Sequence, residues 1–207
     1  MTHLNHHRRW AALALALSLS LLTPWVAQAQ NAPTPASAST PKVRISTSMG
    51  DIEAELYADK APKTVTNFVQ YVNDKHYEGT IFHRVIPGFM LQGGGYDGQY
   101  REKKTRAPVA HEGRQALAAG LKNTTGTLAM ARTNDPQSAT AQFFINVVDN
   151  AFLDPSFQSF GYTVFGKVTS GMDVVQKIRN TPTGAGGPFP TDVPRTPVVI
   201  QSISLLK

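Results

Sequence analysis

Cysteine is absent from all 207 residues, so neither a disulfide nor thiolate chemistry is open to this chain. An oxidising compartment is tolerated but contributes no cross-links. Histidine is scarce where a fold could use it: beyond residue 41 only His76, His83 and His111 remain, and no pair has metal-ligand spacing. No G-x-S-x-G occurs, which removes the hydrolase nucleophile elbow. Three-carboxylate clusters are missing as well. Charge is thin, with 20 Lys and Arg against 14 Asp and Glu, a net +6. Only Arg101 to Arg106 gathers it, so a nucleic-acid surface has no support.

Long apolar runs are also lacking. The Ala, Leu and Ser run from Ala11 to Leu22 holds 12 residues, short of the roughly 20 a membrane span needs. It follows Arg8 and Arg9 and precedes Ala27-Gln28-Ala29, which together make the three-part pattern of a secretory signal over 1–29. Residues 30–41, QNAPTPASASTP, are small and polar with three prolines and read as a flexible tether. What is left, 42–207, is one domain of ordinary size. Removal of Arg8 and Arg9 leaves it 18 basic and 14 acidic groups, net +4.

Within that domain Val43–Ser46 and Ile52–Tyr57 alternate apolar and polar about a turn at Ser48–Asp51, which predicts a hairpin. Val65, Phe68, Val69 and Val72 repeat at i, i+3, i+4, i+7 and predict a helix over 61–76, Pro62 being tolerated in its first turn. Residues 96–125 read mostly as loop. Strands follow at 126–131, 142–148 and 162–168, and Met172, Val174, Val175 and Ile178 mark a second short helix. Residues 182–197 carry five prolines and read as a loop before a closing strand at 198–206. Many short strands with two helices point to a β-barrel or sandwich, not to βαβ units.

Two stretches imitate nucleotide motifs. Gly93 to Gly98 matches G-x-G-x-x-G, yet QYREKKTR follows with no helical periodicity to carry a pyrophosphate. Gly161 to Lys167 resembles a phosphate-binding loop, but Val168 stands where Ser or Thr would hold magnesium, and its interior is β-branched and aromatic. Asn123-Thr124-Thr125 is a glycosylation sequon and carries no further reading.

What remains is an arginine among apolar groups. In TIFHRVIPGFMLQGGG (80–95), Arg84 interrupts an apolar run, and Phe89 and Met90 lie just beyond it. Strand alternation sends Gln142 and Phe144 to one face and Phe143 and Ile145 to the other; one face is core and the other could line a groove. The blocks FHRVIPGFMLQGGG, GTLAMAR (126–132), SATAQFFINV (138–147) and FGYTVFGKVTSGMDVV (160–175) resemble, in that order, the signature segments of the cyclophilins, the peptidyl-prolyl cis-trans isomerases of that fold. The resemblance covers essentially all of 42–207.

It implies a mainly β fold: a closed eight-stranded antiparallel barrel with an α-helix over each open end. It implies Arg84, Gln92 and Phe89 as catalytic residues. Met90, Phe144, Phe152, Leu153 and Tyr162 would bind the substrate proline, with Ala131, the Arg132 backbone and Gln142 along the bound peptide. Phe152 replaces the tryptophan usual in eukaryotic members, Tyr162 a histidine and Arg132 an asparagine, a combination similar to the periplasmic cyclophilins of Gram-negative bacteria. The expected partners are proline-containing unfolded or partly folded polypeptides, with weak cyclosporin binding. No metal, cofactor, nucleic acid or stable membrane anchor is expected, and the chain should be a monomer. The competing expectation is a proline-peptide binding module with little turnover.

Overall fold

Residues 40–207 are described by the computed structural model. The expected signal and nearly all of the tether lie outside the described residues. Two alternating segments, β1 (Lys42–Thr47) and β2 (Gly50–Leu56), form the predicted hairpin, with Ile45 facing Ile52 across it. Their inward residues Val43, Ile45, Ile52, Ala54 and Leu56 are fully buried. The periodic segment folds as α1 (Pro62–Asn73), which buries Val65, Phe68, Tyr71 and Val72. Further strands are β3 (Thr80–Ile81), β4 (Arg84–Ile86), β5 (Met90–Gly93), β6 (Thr127–Met130), β7 (Phe143–Asn146), β8 (Val164–Ser170), β9 (Thr183–Gly186), β10 (Phe189–Pro194) and β11 (Val199–Leu206). Two more helices are α2 (Gly113–Ala118) and α3 (Met172–Arg179).

Nine strands join in one antiparallel sheet, in the order β3-β11-β1-β2-β8-β6-β7-β5-β4. The fold is thus the mainly β, strongly curled antiparallel arrangement the motifs implied, but the strand count and the closure need correction. The hydrogen-bond ladder has nine strands and two ends, not eight strands in an unbroken ring. The reason is local. The ends, β3 and β4, are consecutive pieces of segment 80–86, interrupted at Phe82-His83. There the chain changes partners: β3 pairs with β11, the Phe82 amide still bonds the Val198 carbonyl at 3.0 Å, and β4 then pairs with β5.

Among the described residues the expected two helices are three. The six-residue α2 lies in the stretch read as loop and is too short to show a periodic face; it buries Gly113 and Ala116. The proline-rich segment 182–197 is also more regular than expected, since β9 and β10 pair as a separate two-stranded sheet. Prolines 190 and 194 are tolerated within β10 because this ribbon is short and has two edges, and Pro188 lies in the turn between its strands.

Candidate active site

Strand alternation divides the sheet into two apolar sets. Val85, Leu91, Leu128, Met130, Phe143 and Ile145 join the main core beneath α1. Their neighbours one residue along, Met90, Ala129, Phe144 and Val164, form a second cluster on the opposite face, against which Ile86, Phe89, Ala131 and Tyr162 pack. The register then sets the polar groups in a row: Arg84 lies opposite Gln92, Gln92 opposite Phe144, and Phe144 opposite Ala129. One permanent cation and one amide are thereby held at the edge of an apolar floor.

A pocket of about 130 Å³ opens on this face. Nine of the eleven residues expected at the site line it: Arg84, Phe89, Met90, Gln92, Ala131, Arg132, Phe144, Leu153 and Tyr162. Gln142 instead lines an adjoining groove of about 390 Å³ that shares Gln92, Ala131 and Arg132. It is tied to the pocket through Gln92, whose Nε2 donates to Gln142 Oε1 at 2.9 Å. Phe152 stands at the rim, 71% exposed, its ring stacked on Phe89 at 5.5 Å. At 130 Å³ the pocket is well below the 300 Å³ or more of a drug-sized site and suits a single small ring.

The walls are held from behind by residues that motif reading missed. Asn150 Nδ2 donates to the Phe89 carbonyl at 2.9 Å and to Asn146 Oδ1 at 2.7 Å, while Asn146 Nδ2 donates to Thr127 Oγ1 at 2.9 Å. Asn123 continues the chain through its Nδ2 to Asp154 Oδ1. These buried amides lock Phe89 to the short 3₁₀ turn Ala151–Leu153. On the far side the Tyr162 amide bonds the Leu153 carbonyl at 2.9 Å. The Arg132 guanidinium lies 4.5 Å from the centre of the Tyr162 ring and donates through Nε to Gly161 O at 3.0 Å. Arg132 was expected to act through its backbone; its side chain also clamps the pocket wall. No sequence signal marks the asparagines, because only tertiary packing buries them.

Residues 42–205 match the family model described as Cyclophilin type peptidyl-prolyl cis-trans isomerase/CLD. The chain belongs to that family. This cyclophilin is 49% identical over 197 residues to peptidyl-prolyl cis-trans isomerase A of Dickeya dadantii, covering 95% of the chain and 96% of that relative. It is 51% identical over 166 residues to peptidyl-prolyl cis-trans isomerase B of Escherichia coli, covering 79% and 98%. A crystal structure of a cyclophilin type peptidyl-prolyl cis-trans isomerase from Cryptosporidium parvum, in the presence of the dipeptide Ala-Pro, superposes with a TM-score of 0.62 at 26% identity. It covers 80% of this chain and 99% of that one. Cyclophilin-type peptidyl-prolyl cis-trans isomerase activity goes with this membership.

Proposed function

We propose that Arg84 is the group that accelerates rotation about X–Pro bonds, and that the apolar pocket beside it gathers the proline ring. Rotation faces ~18–20 kcal/mol because resonance stiffens the C–N bond. No covalent bond breaks, so the catalyst needs contacts that strengthen only when the bond is twisted. As the proline nitrogen leaves conjugation its lone pair becomes an acceptor, and a rigid, always-charged guanidinium is suited to donate to it. In a partly dry groove that bond is worth more than in water.

The observation that carries this reading is the placing of Arg84. Among the described residues its guanidinium has no hydrogen bond, although it lines a pocket floored by Met90 and Phe144. Its two terminal nitrogens are therefore free for a ligand, while Nε faces the Asp192 carboxylate at 3.8 Å. Phe89, Leu153 and Tyr162 take the proline ring, and Ala131 with the Arg132 backbone and Gln142 accompanies the peptide. Gln92, expected to hold Arg84, bonds Gln142 instead and is left to meet the substrate carbonyl. The clients are unfolded or partly folded polypeptides in the periplasm, a location supported by the secretory pattern of residues 1–29. Phe152, smaller than an indole, supports weak cyclosporin binding.

The test is isomerisation of a short X–Pro peptide by the purified chain beside Arg84→Ala and Arg84→Lys. Alanine should cost about 100-fold or more in kcat/KM, and lysine most of that, since it lacks the planar fork. Equal, weak turnover in all three would mean that the groove holds proline without catalysing its rotation.

A further inference from the structure

The side chain of Arg84 is 44% exposed on a flexible stem, so strands β4 and β5 alone do not decide which edge of its guanidinium faces the pocket. The ribbon β9–β10 approaches that side chain from outside the pocket. Asp192 Oδ2 lies 3.8 Å from Arg84 Nε, on the stem side of the guanidinium. It is the one carboxylate paired with Arg84 among the described residues.

Asp192 is held there. Its φ of 66° lies in the left-handed region, which Asp and Asn enter more readily than other side-chain-bearing residues. Thr191 Oγ1 donates to the same Oδ2 at 3.1 Å. The ribbon is docked on β4 by an aromatic triad: Phe189 lies 5.2 Å from His83 and 5.0 Å from Tyr96, and His83 and Tyr96 are 4.8 Å apart. Val193 is buried beside it, and the Arg195 amide closes the base of the ribbon on the Pro182 carbonyl at 2.9 Å. His83 and Arg84 are adjacent in sequence, so the residue that anchors the ribbon neighbours the residue that the ribbon's carboxylate engages.

We infer that Asp192 is a positioning residue for the isomerase reaction: its carboxylate engages the Nε edge of Arg84 and turns the two terminal nitrogens toward the pocket. This rests on Arg84 being the catalytic donor. At 3.8 Å the pair is beyond hydrogen-bond distance, so the pull is that of charge on charge and a neutral amide of the same shape does not reproduce it. A purely conformational role for Asp192, filling a left-handed position, would be served equally by Asn.

The experiment compares Asp192→Asn, Asp192→Gly and Asp192→Glu with wild type on a short X–Pro peptide, separating kcat from KM and repeating at low and high salt. Asn and Gly both accept the left-handed backbone, so these variants fold. Expected is a fall in kcat of roughly two- to five-fold for Asn and Gly with KM unchanged, the range of a half-exposed ion pair, and partial recovery with Glu. High salt should reduce the wild-type kcat toward that of Asp192→Asn and leave Asp192→Asn nearly unaffected. Wild-type kcat in Asp192→Asn, a matching rise in KM, or an unaltered salt response would overturn the role. Failure of the underlying reading has its own signature, full activity in Arg84→Ala, and would remove the role of Asp192 with it.

Discussion

Gly95 shows how little space separates the two glutamines from the chain beside them. A β-carbon there would stand 2.5 Å from Gln142 Cγ and Cδ, so Gln142, which accepts from Gln92, would have to shift. Gly95→Ala should therefore break the Gln92–Gln142 bond and lower kcat/KM several-fold while the domain stays folded; peptide isomerisation and circular dichroism together would check it. The same crowding explains the first two glycines of the apparent nucleotide motif at 93–98, Gly93 and Gly95, though not Gly98, which lies in open space. Gly94 sits at φ +86 and Gly95 against a side chain, so these glycines answer to backbone and packing rather than to a phosphate. Asn150 makes the complementary case. Its truncation to alanine leaves buried acceptors behind Phe89 with one donor fewer, at a cost of about 1–3 kcal/mol, readable as a shift in the urea midpoint. At this scale Arg84 was legible because a charge inside an apolar run has few explanations. Gln92 and Gln142 stood out only through the ordered motifs around them. Asn146, Asn150 and Asp192 left no trace, since a polar residue looks the same in sequence whether packing buries it or not.

Among the elements, α1 depends on a residue far from it in sequence. Ala61 offers no side-chain cap; instead the buried Glu112 carboxylate accepts from the Lys63 amide at 3.1 Å, the Thr64 amide at 2.8 Å and Thr64 Oγ1 at 2.7 Å. A negative group at a helix N-terminus satisfies orphan donors and meets the positive end of the helix dipole. Glu112→Ala should destabilise the domain by about 1–3 kcal/mol, and Glu112→Gln by less, because the amide keeps an acceptor; chemical denaturation of the two side by side would check the ranking. The hairpin β1–β2 and the helices α1 and α3 were legible because their apolar residues follow the period of the element. The helix α2 and the ribbon β9–β10 were not. Their stability comes from what they touch, Glu112 reaching α1 in one case and Phe189 reaching His83 in the other. The break between β3 and β4 was hidden for the same reason: a change of ladder partner leaves no periodic mark.

For the molecule as a whole, acidity separates stability from activity. Burial lowers the pKa of His76, His83 and His111, that of His83 to about 4, and arginine keeps its proton throughout. Catalysis should therefore be level between about pH 7 and 9, where a bell-shaped rate profile would refute Arg84 as the acting group. Stability should not be level in acid. Unfolded, His83 takes up a proton near pH 6.5; folded, it resists until about pH 4. Across that window the unfolded chain binds more protons, so stability is complete above it and falls as pH drops through it, by roughly 3 kcal/mol at most. His83→Gln should flatten the dependence of the urea midpoint on pH, and an unchanged slope would place the acid sensitivity elsewhere. The exposed Phe152 at the pocket rim has an optical consequence. Residues 40–207 hold six tyrosines and no tryptophan, both tryptophans of the chain being Trp10 and Trp25. Phe152→Trp would give this region a lone indole stacked on Phe89, whose emission would report each arrival and departure of a peptide without any label.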